Sequence, residues 1–545
     1  MNVLGLHLGH DTTAALIVND RLVASVQKER LTRIKHDRGF LPKMLDDCLA
    51  IGGISFEEID YVSVSLFSGA DSDILYQNSS DYWGITIKKE GLSYRNGPRQ
   101  LTPWACEKGI TVKYKGIEKP AYQIQHHVAH AASVFYTSSY DKAIALTYDG
   151  SGVPDNTTSL ICIGEGTKIK PDICPALNGA LLYGQISYSI YKDFYSSGKL
   201  MGIAAYGKPS VYKDKFMENP SVAGMIDNLS GITDRENWSS FYKNHWTNIK
   251  DIAASAQKWM EEDVKRVLSY IEEKFGDVNL VVSGGGVLNV LCNRIIYDRF
   301  PSLFSNPFVQ DEGIAHGGAL YVLHHIHNKP RQKYTMAELS FLGDGDSSWA
   351  WTKSTQLHLE TEIDIKEIAK DLSESKVVLW HQGRSEAGPR ALTHRSIFAE
   401  ATNKMKKRVS IDIKGREEYR PLAPIVLEED CEEYFDVKPN PLTEVMLLNA
   451  KVLSKKIPGV THIDGTARVQ TISKEFNPIV HKLLTEYKKI TGIPVLINTS
   501  LNIQGQPICE TEFDTLWTFD NCEAEVCVIN NKVYRKPLKA KKEEK

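Results

Sequence analysis

The nine cysteines of this 545-residue chain are scattered, and no two form a CxxC pair. Their odd number and spacing argue against a zinc ribbon or a disulfide framework and point to reduced, cytoplasmic thiols. Cys522 and Cys527, the closest pair, read as buried apolar residues. An excess of one charge is also missing: 65 Lys and Arg face 68 Asp and Glu, for a net charge of −3. That balance excludes general nucleic-acid or anionic-membrane binding, although a local basic pocket stays compatible with it. No uninterrupted apolar run reaches membrane-spanning length. The start, MNVLGLHLGH, has no basic stretch ahead of its apolar residues, so a secretory leader is not expected. What remains is an ordinary globular composition, 42% hydrophobic and 24% charged, in a chain too long for one core. Two or more domains are expected.

The N-terminal residues read strand, turn, strand, turn, strand: NVLGLHLG, TAALIVND and RLVASVQ. Asn19-Asp20 is a tight hairpin signal. A similar plan recurs at KAIALTYD, the loop Gly150-Ser151-Gly152 and TSLICIGEG. Two such units facing each other form the nucleotide cleft of actin-like folds, where small loop residues admit phosphates; chance similarity of two β-meanders is the plainer alternative. A third piece, DVNLVVSGGGVLNVLCN, runs a strand into Gly284-Gly285-Gly286 and a helix. It lacks the Lys-Ser/Thr ending of a P-loop, so it is either a ligand-approach turn or a tight turn alone. FLGDGDSSW, residues 341–349, is a turn-rich break and marks the expected boundary between domains 1–345 and 346–545.

Beyond that break the chemistry changes. Residues 384–420 hold ten Lys and Arg against five Asp and Glu. Arg390, Arg395, Lys414 and Arg420 stand beside Gly, Pro and turn residues, where side chains can converge on an anion.

AYQIQHHVAHAASVF, residues 121–135, puts three histidines into five positions. On a helix His126 and His130 are i and i+4 and share a face, a spacing suited to two ligands of one metal. The residues between them are His-Val-Ala, so the Glu of a zincin protease is missing. His127 points elsewhere, toward a capping or supporting role. Asp149 follows an apolar strand, and Asp311 precedes a small-residue helix. Two histidines with two carboxylates would suit Fe²⁺, Mn²⁺ or Zn²⁺. His324, His325 and His327, before Pro330, are expected at the surface.

These stretches have a family pattern. LGLHLGHDTTAALI, QKERLTRIKHD, HHVAHAAS, YDGSG, GKLMGIAAYG, SGGGVLNVLCN, GPRALTHRS, KGREEYRPLAP and INTSLNIQGQPI occur in the order found in the ATP-dependent O-carbamoyltransferases, which the chain resembles over nearly its whole length. The resemblance implies an α/β chain: an actin-like (ASKHA), duplicated N-terminal domain and an α+β YrdC-like C-terminal domain. It implies formation of carbamoyl-adenylate from carbamoyl phosphate and ATP (with Mg²⁺) in the second, and transfer to a small-molecule hydroxyl in the first. By motif, Fe²⁺ or another divalent transition metal falls on His126, His130, Asp149 and Asp311. Carbamoyl phosphate falls on Arg390, Lys414, Arg420, Arg468, Asn498 and Ser500. The adenylate falls on Lys199, Gly202, Gly284, Gly285, Gly286 and Asn289. His10 and Asp11 are candidates to deprotonate the acceptor hydroxyl, a role suited to a neutral histidine. In ALTHRS the family pattern has glycine where Thr393 stands, so a looser or shifted turn is expected.

The alternative on the same N-terminal fold is a tRNA threonylcarbamoyl transferase. Both domains in one chain and the lack of a basic balance favour the small-molecule enzyme, with no nucleic-acid or membrane partner. The acceptor is not legible; Tyr76, Trp83, Trp238, Tyr242 and Trp246 could stack on a sugar or pack a core. The oligomeric state, a homodimer being one option, stays open.

Overall fold

The computed structural model describes residues 1–65, 84–89, 106–150, 158–211, 238–345 and 359–536. The chain forms two compact units: Met1–Lys28, His36–Tyr334 and Leu447–Asn449 in one, Glu29–Lys35, Thr335–Met446 and Ala450–Lys545 in the other.

The first unit contains two sheets with one plan. β1 (Val3–His7), β2 (Thr13–Val18) and β3 (Arg21–Gln27) form an antiparallel meander, and β4 (Tyr61–Ser65) runs parallel to β1. β5 (Ile85–Lys89), β6 (Cys106–Tyr114) and β7 (Ile117–Ile124) complete the order 3-2-1-4-7-6-5. The hairpin turn uses Asn19 and Asp20 at φ 51° and 66°, as expected of a short turn matching strand twist. The second sheet repeats the core of this order: β8 (Lys142–Tyr148), β9 (Ser159–Glu165) and β10 (Lys168–Asp172) form a meander, and β11 (Leu280–Ser283) runs parallel to β8. The duplicated, actin-like architecture is thus present.

Two helices carry the site. His126–Thr137 packs on the second sheet and Glu312–Leu320 on the first, and they pack on each other. Small residues permit this: a Cβ on Gly317 would lie 1.8 Å from the carbonyl oxygen of Ala129, and one on Gly5 would lie 1.9 Å from that of Ala315. The histidine-bearing helix is buried along its whole length, and its start is capped by Gln125, which accepts from the Val128 N–H at 2.8 Å.

The second unit is α+β, as expected. Its mixed sheet comprises β12 (Leu359–Glu362), β13 (Val378–His381), β14 (Arg395–Glu400), β15 (Ala423–Leu427), β18 (Gln470–Ile472), β19 (Val495–Ser500), β20 (Val526–Ile529) and β21 (Lys532–Arg535). A small ribbon pairs β16 (Asn449–Lys451) with β17 (Thr466–Arg468). The order 12-21-20-13-14-19-15-18 brings β14, β15 and β18 round the end of β19 that bears Asn498 and Ser500. Helices Ile365–Ser373 and Pro478–Thr491 pack together. Residues 342–344 pack within this unit: Arg384 donates to the carbonyls of Leu342 and Gly343, and Ser385 N donates to that of Asp344.

Three expectations change. His324 is fully buried rather than exposed, with Nδ1 2.8 Å from the Lys329 carbonyl; His325 receives the Ile169 N–H and His327 stacks near Tyr61, so all three are tied to the fold. Arg395 does not face an anion: it is 1% exposed and donates to the carbonyls of Gln382, Gly383 and Glu510. The turn at Thr393 is not looser. Thr393 holds φ 88°, its N–H donates to Ser396 Oγ, and Asn477 donates to its hydroxyl at 2.8 Å. One oxygen of Glu386 accepts the N–H groups of Leu392, His394 and Arg395 and pins the whole loop. Cys522 and Cys527 are buried, as expected. Among the described residues no helix is long and apolar enough to cross a membrane.

Candidate active site

His126 and His130, one turn apart, aim their Nε2 atoms at one point, where Asp149 arrives from the end of β8 and Asp311 from the start of helix Glu312–Leu320. His126 Nε2 lies 3.5 Å from Asp149 Oδ2 and 3.8 Å from Asp311 Oδ1; for His130 Nε2 the distances are 3.3 and 3.5 Å. Nε2 of both histidines and Oδ2 of Asp149 are buried with no hydrogen-bond partner among the described residues. Ligands about 2.1 Å from a tetrahedral ion sit about 3.4 Å apart, so these separations fit a bound metal. Charge agrees. Burial alone would depress His130, yet Asp149 and Asp311 push it up to about 9. A dication on two neutral imidazoles and two carboxylates removes that excess negative charge. Ser283 lies 3.2 Å from Nδ1 of His130 and fixes the ring from behind. His127 instead meets Thr147 at 2.9 Å, a supporting role.

A second layer extends from Asp311. His10 places Nε2 3.1 Å from Asp311 Oδ2 and Nδ1 2.9 Å from Asp11 Oδ2, while Asp11 Oδ1 takes His36 Nδ1 at 2.7 Å. The His36 ring stacks on Tyr195 with centroids 3.8 Å apart. Burial works against a charge on His10, but Asp311 and Asp11 outweigh it and raise the imidazole to about 10. Between two carboxylates His10 is therefore cationic, whereas the sequence reading wanted it neutral. His7 shows the opposite balance: burial pushes it down to about 4, and its Nε2 lies 3.0 Å from the His10 carbonyl.

The glycine turn follows β11, but a short 3₁₀ turn, Gly285–Leu288, separates it from helix Val290–Arg299. Gly284 has φ 105°, and a Cβ there would lie 2.3 Å from the Tyr148 carbonyl oxygen. Close packing on Tyr148 thus accounts for that glycine, while a Cβ on Gly285 would face Asp149 at 3.0 Å. Asn289 caps the helix through Cys292 N and exchanges hydrogen bonds with Gln257. Lys199 lies over the Tyr191 ring, and Gly202 is buried in helix Ser197–Ala204.

In the second unit Arg390, Arg416 and Arg420 lie close enough to Arg468, and Arg416 and Arg420 to Lys414, to act on their charges. Nζ of Lys414 is buried and donates to the carbonyls of Ser500 and Asn502 and to Asn502 Oδ1, all within 2.6–2.7 Å. Burial and the charges of Arg416, Lys35 and Arg420 hold Lys414 well below its usual range. Burial, then Arg390, Arg416 and Arg420, do the same to Arg468. Arg416, pushed down to about 9 by burial and by Arg420, belongs to this cluster. Glu417 lies 3.6 Å from Arg420. Cations this close to one another each disfavour the charge on the next.

Sequence reasoning missed Arg416, Asn502, His36 and Tyr195. Arg416, Asn502 and His36 lie inside quoted motifs, KGREEYRP, INTSLNIQG and QKERLTRIKHD, and composition there could have suggested them; Tyr195 gave no local signal. Tyr76 and Trp83, and the side chains of Trp238, Tyr242 and Trp246, lie outside the described residues.

Residues 2–320 match the family description Carbamoyltransferase N-terminus, and residues 369–536 match Carbamoyltransferase C-terminus. Nodulation protein NolNO of Sinorhizobium fredii is 30% identical over 97% of this chain and 79% of its own length. Nodulation protein U of Rhizobium tropici is 26% identical over 93% of this chain and 92% of its own. A solved structure of full-length HypF, in its phosphate- and nucleotide-bound form, covers 60% of this chain and 47% of its own at 13% identity and a TM-score of 0.32, too loose to bear on function.

Proposed function

The chain belongs to the carbamoyltransferase family, and from that premise we propose that it makes carbamoyl-adenylate from carbamoyl phosphate and ATP and passes the carbamoyl group to a hydroxyl of a small molecule, a natural product or a sugar. The observation that carries this reading is the grouping of Arg390, Arg416, Arg420 and Arg468, with Lys414 beside Arg416 and Arg420, close enough to act on one another's charge and suited to a polyanion.

The chemistry balances as two steps. Carbamoyl phosphate and water give carbamate and phosphate; a carbamate oxygen then attacks the α-phosphorus of ATP, and pyrophosphate leaves. In the second step an acceptor oxygen bonds to the carbamoyl carbon, AMP leaves, and the hydroxyl proton must be held. The cations offset repulsion between two polyanions that would not otherwise meet. Ser500 and Asn498 orient the carbamoyl group.

Activation belongs to the C-terminal domain, from about residue 346, and transfer to the N-terminal one. There Gly284–Gly286, Asn289, Lys199 and Gly202 receive the adenylate. His10 and Asp11 are the groups placed to help deprotonate the acceptor hydroxyl: a dication on Asp311 would offset the negative charge that keeps His10 protonated, and Nε2 would then take the proton with Asp11 orienting the ring. His126, His130, Asp149 and Asp311 would hold Fe²⁺ or a similar dication, which supplies Lewis-acid polarisation of the carbamoyl carbonyl when bound. Carbamoyl phosphate and ATP being intracellular metabolites, we take the cytoplasm as the setting.

The test is pyrophosphate release by the full chain with ATP and Mg²⁺, with and without carbamoyl phosphate, beside filter binding to tRNA. Release that needs carbamoyl phosphate and no tRNA supports the reading. Release absent, or dependent on tRNA, overturns it.

A further inference from the structure

Two backbone carbonyls in the second unit fix the orientation of a pair of buried amides. Nε2 of Gln470 donates to the Glu444 carbonyl at 3.2 Å, so Oε1 is the atom turned to Asn498. Nδ2 of Asn498 donates to that Oε1 at 2.9 Å and to the Ala391 carbonyl at 3.3 Å. Carbonyls only accept, so flipping either amide would set acceptor against acceptor at one end of the chain. Gln470 and Asn498 are 0% and 1% exposed. Oδ1 of Asn498 is left buried with no hydrogen-bond partner among the described residues. A buried acceptor without a donor is costly, and a native fold rarely keeps one without a use.

Its neighbours along the chain suggest that use. Ala391 follows Arg390, Gln470 stands two residues after Arg468, and Ser500 two residues beyond Asn498 on β19. Cations hold a phosphate whatever it is attached to; a fixed neutral acceptor beside them reads the attached group. A carbamoyl group offers N–H donors, whereas acetyl phosphate, of nearly the same size, offers a methyl group. A site built around a hydrogen bond rejects an analogue that cannot make it more strongly than an apolar pocket rejects a change of size.

Resting on the reading given under Proposed function, we propose that Gln470 is a positioning residue that locks the Asn498 amide, leaving Oδ1 to take an N–H of the carbamoyl donor and so to separate carbamoyl phosphate from other acyl phosphates. Nothing in the local sequence QTI marks Gln470 for this; the juxtaposition of β18 and β19 around β15 does.

The experiment is calorimetric titration of the full chain with carbamoyl phosphate and with acetyl phosphate, without ATP, so that binding is read apart from activation. Acetyl phosphate should bind roughly 10- to 100-fold more weakly. Gln470→Met removes the oxygen that holds Asn498, and the preference should fall to about threefold or less. Gln470→Glu, protonated in this buried site, keeps an oxygen toward Nδ2 and an O–H toward the Glu444 carbonyl, so below the pH at which it ionises it should retain the preference, an outcome a merely structural role would not produce. Equal binding of both donors by the unaltered chain overturns the proposal whether or not a variant folds. A preference unchanged in folded Gln470→Met overturns the role of Gln470. Failure of the unaltered chain to bind carbamoyl phosphate at all overturns the proposed function itself, and this inference with it.

Discussion

Asp311 and His10 are joined through one carboxylate oxygen: Oδ2 lies 3.1 Å from His10 Nε2, while Oδ1 of the same group faces the two clustered histidines. The same carboxylate therefore belongs to the metal-type cluster and to the Asp11–His36 layer behind it.

Removing a histidine of the cluster should remove the metal. His126→Ala or His130→Ala leaves three ligand groups and should lower metal content, read by elemental analysis, to near zero. Carbamoyl-phosphate-dependent pyrophosphate release should survive, and acceptor carbamoylation should not. Full metal occupancy in both folded variants would remove the assignment.

Asp11→Asn keeps the shape but weakens two charge-assisted hydrogen bonds, each worth roughly 1.5–3 kcal/mol. With its orienter lost, His10 should turn over acceptor about 10- to 100-fold more slowly. Metal content should be unchanged, because Asp11 is not among the four clustered groups. Metal loss in this variant would place Asp11 in the ligand set instead.

Thr393 separates strain from hydrogen bonding. A β-branched residue at φ 88° carries a cost of order 1–3 kcal/mol, partly offset by the Asn477 hydrogen bond to its hydroxyl. Thr393→Gly relieves the strain and loses the bond, so stability should change little. Thr393→Ala keeps the strained φ and loses the bond, so it should fall below the glycine variant by about 1 kcal/mol in denaturant unfolding. The reverse order would show that the backbone there is not strained.

Acid should destabilise the fold well before the carboxylates titrate. Burial pushes His316, His324 and His394 down to about 4, against 6.5 unfolded. Between those values the unfolded chain binds protons that the native chain does not, so stability falls as pH drops. Above about 6.5 the contribution is whole; through the window each histidine removes about 1.4 kcal/mol per pH unit. Melting temperatures flat from pH 7 to 4.5 would contradict this.

The parts legible in the sequence were those fixed by local spacing. An i, i+4 pair on a helix shares a face whatever surrounds it, and Asn19-Asp20 has few conformations besides a tight turn. Arg390 and Arg395 show where legibility stops. Both sit in one basic, turn-rich stretch, yet Arg395 is consumed by carbonyls, one of them from Glu510, more than a hundred residues away. Arg416 stands among other charged residues in a turn, and the charges that the fold brings to it, Arg420 and Glu417, set it apart. His324 was assigned to the surface by its place before Pro330, whereas its ring packs near Tyr136, 4.7 Å between centroids. Spacing tells which side chains share an element; it does not tell what the rest of the chain brings to them.

The cation nest should show opposite signs for stability and binding. Arg468 is held well below its ordinary range by burial and by Arg390, Arg416 and Arg420, so in the free protein it is a destabilising neighbour. Arg468→Met keeps much of the side-chain volume and removes the charge. The free variant should melt at or above the temperature of the unaltered chain, because repulsion and the desolvation of one cation are both gone. Carbamoyl phosphate should then bind at least about tenfold more weakly, since a charge-assisted hydrogen bond to phosphate is worth roughly 1.5–3 kcal/mol. The two effects meet in one titration. Carbamoyl phosphate should raise the melting temperature of the unaltered chain by mass action and raise that of the variant far less, so the two curves cross as ligand is added. Arg420→Lys tests geometry against charge at the same site: it preserves repulsion but loses the planar fork, so binding should weaken without a gain in stability. A variant of Arg468 that melts lower and binds normally would mean that this arginine serves the fold, as Arg395 does, and not the donor.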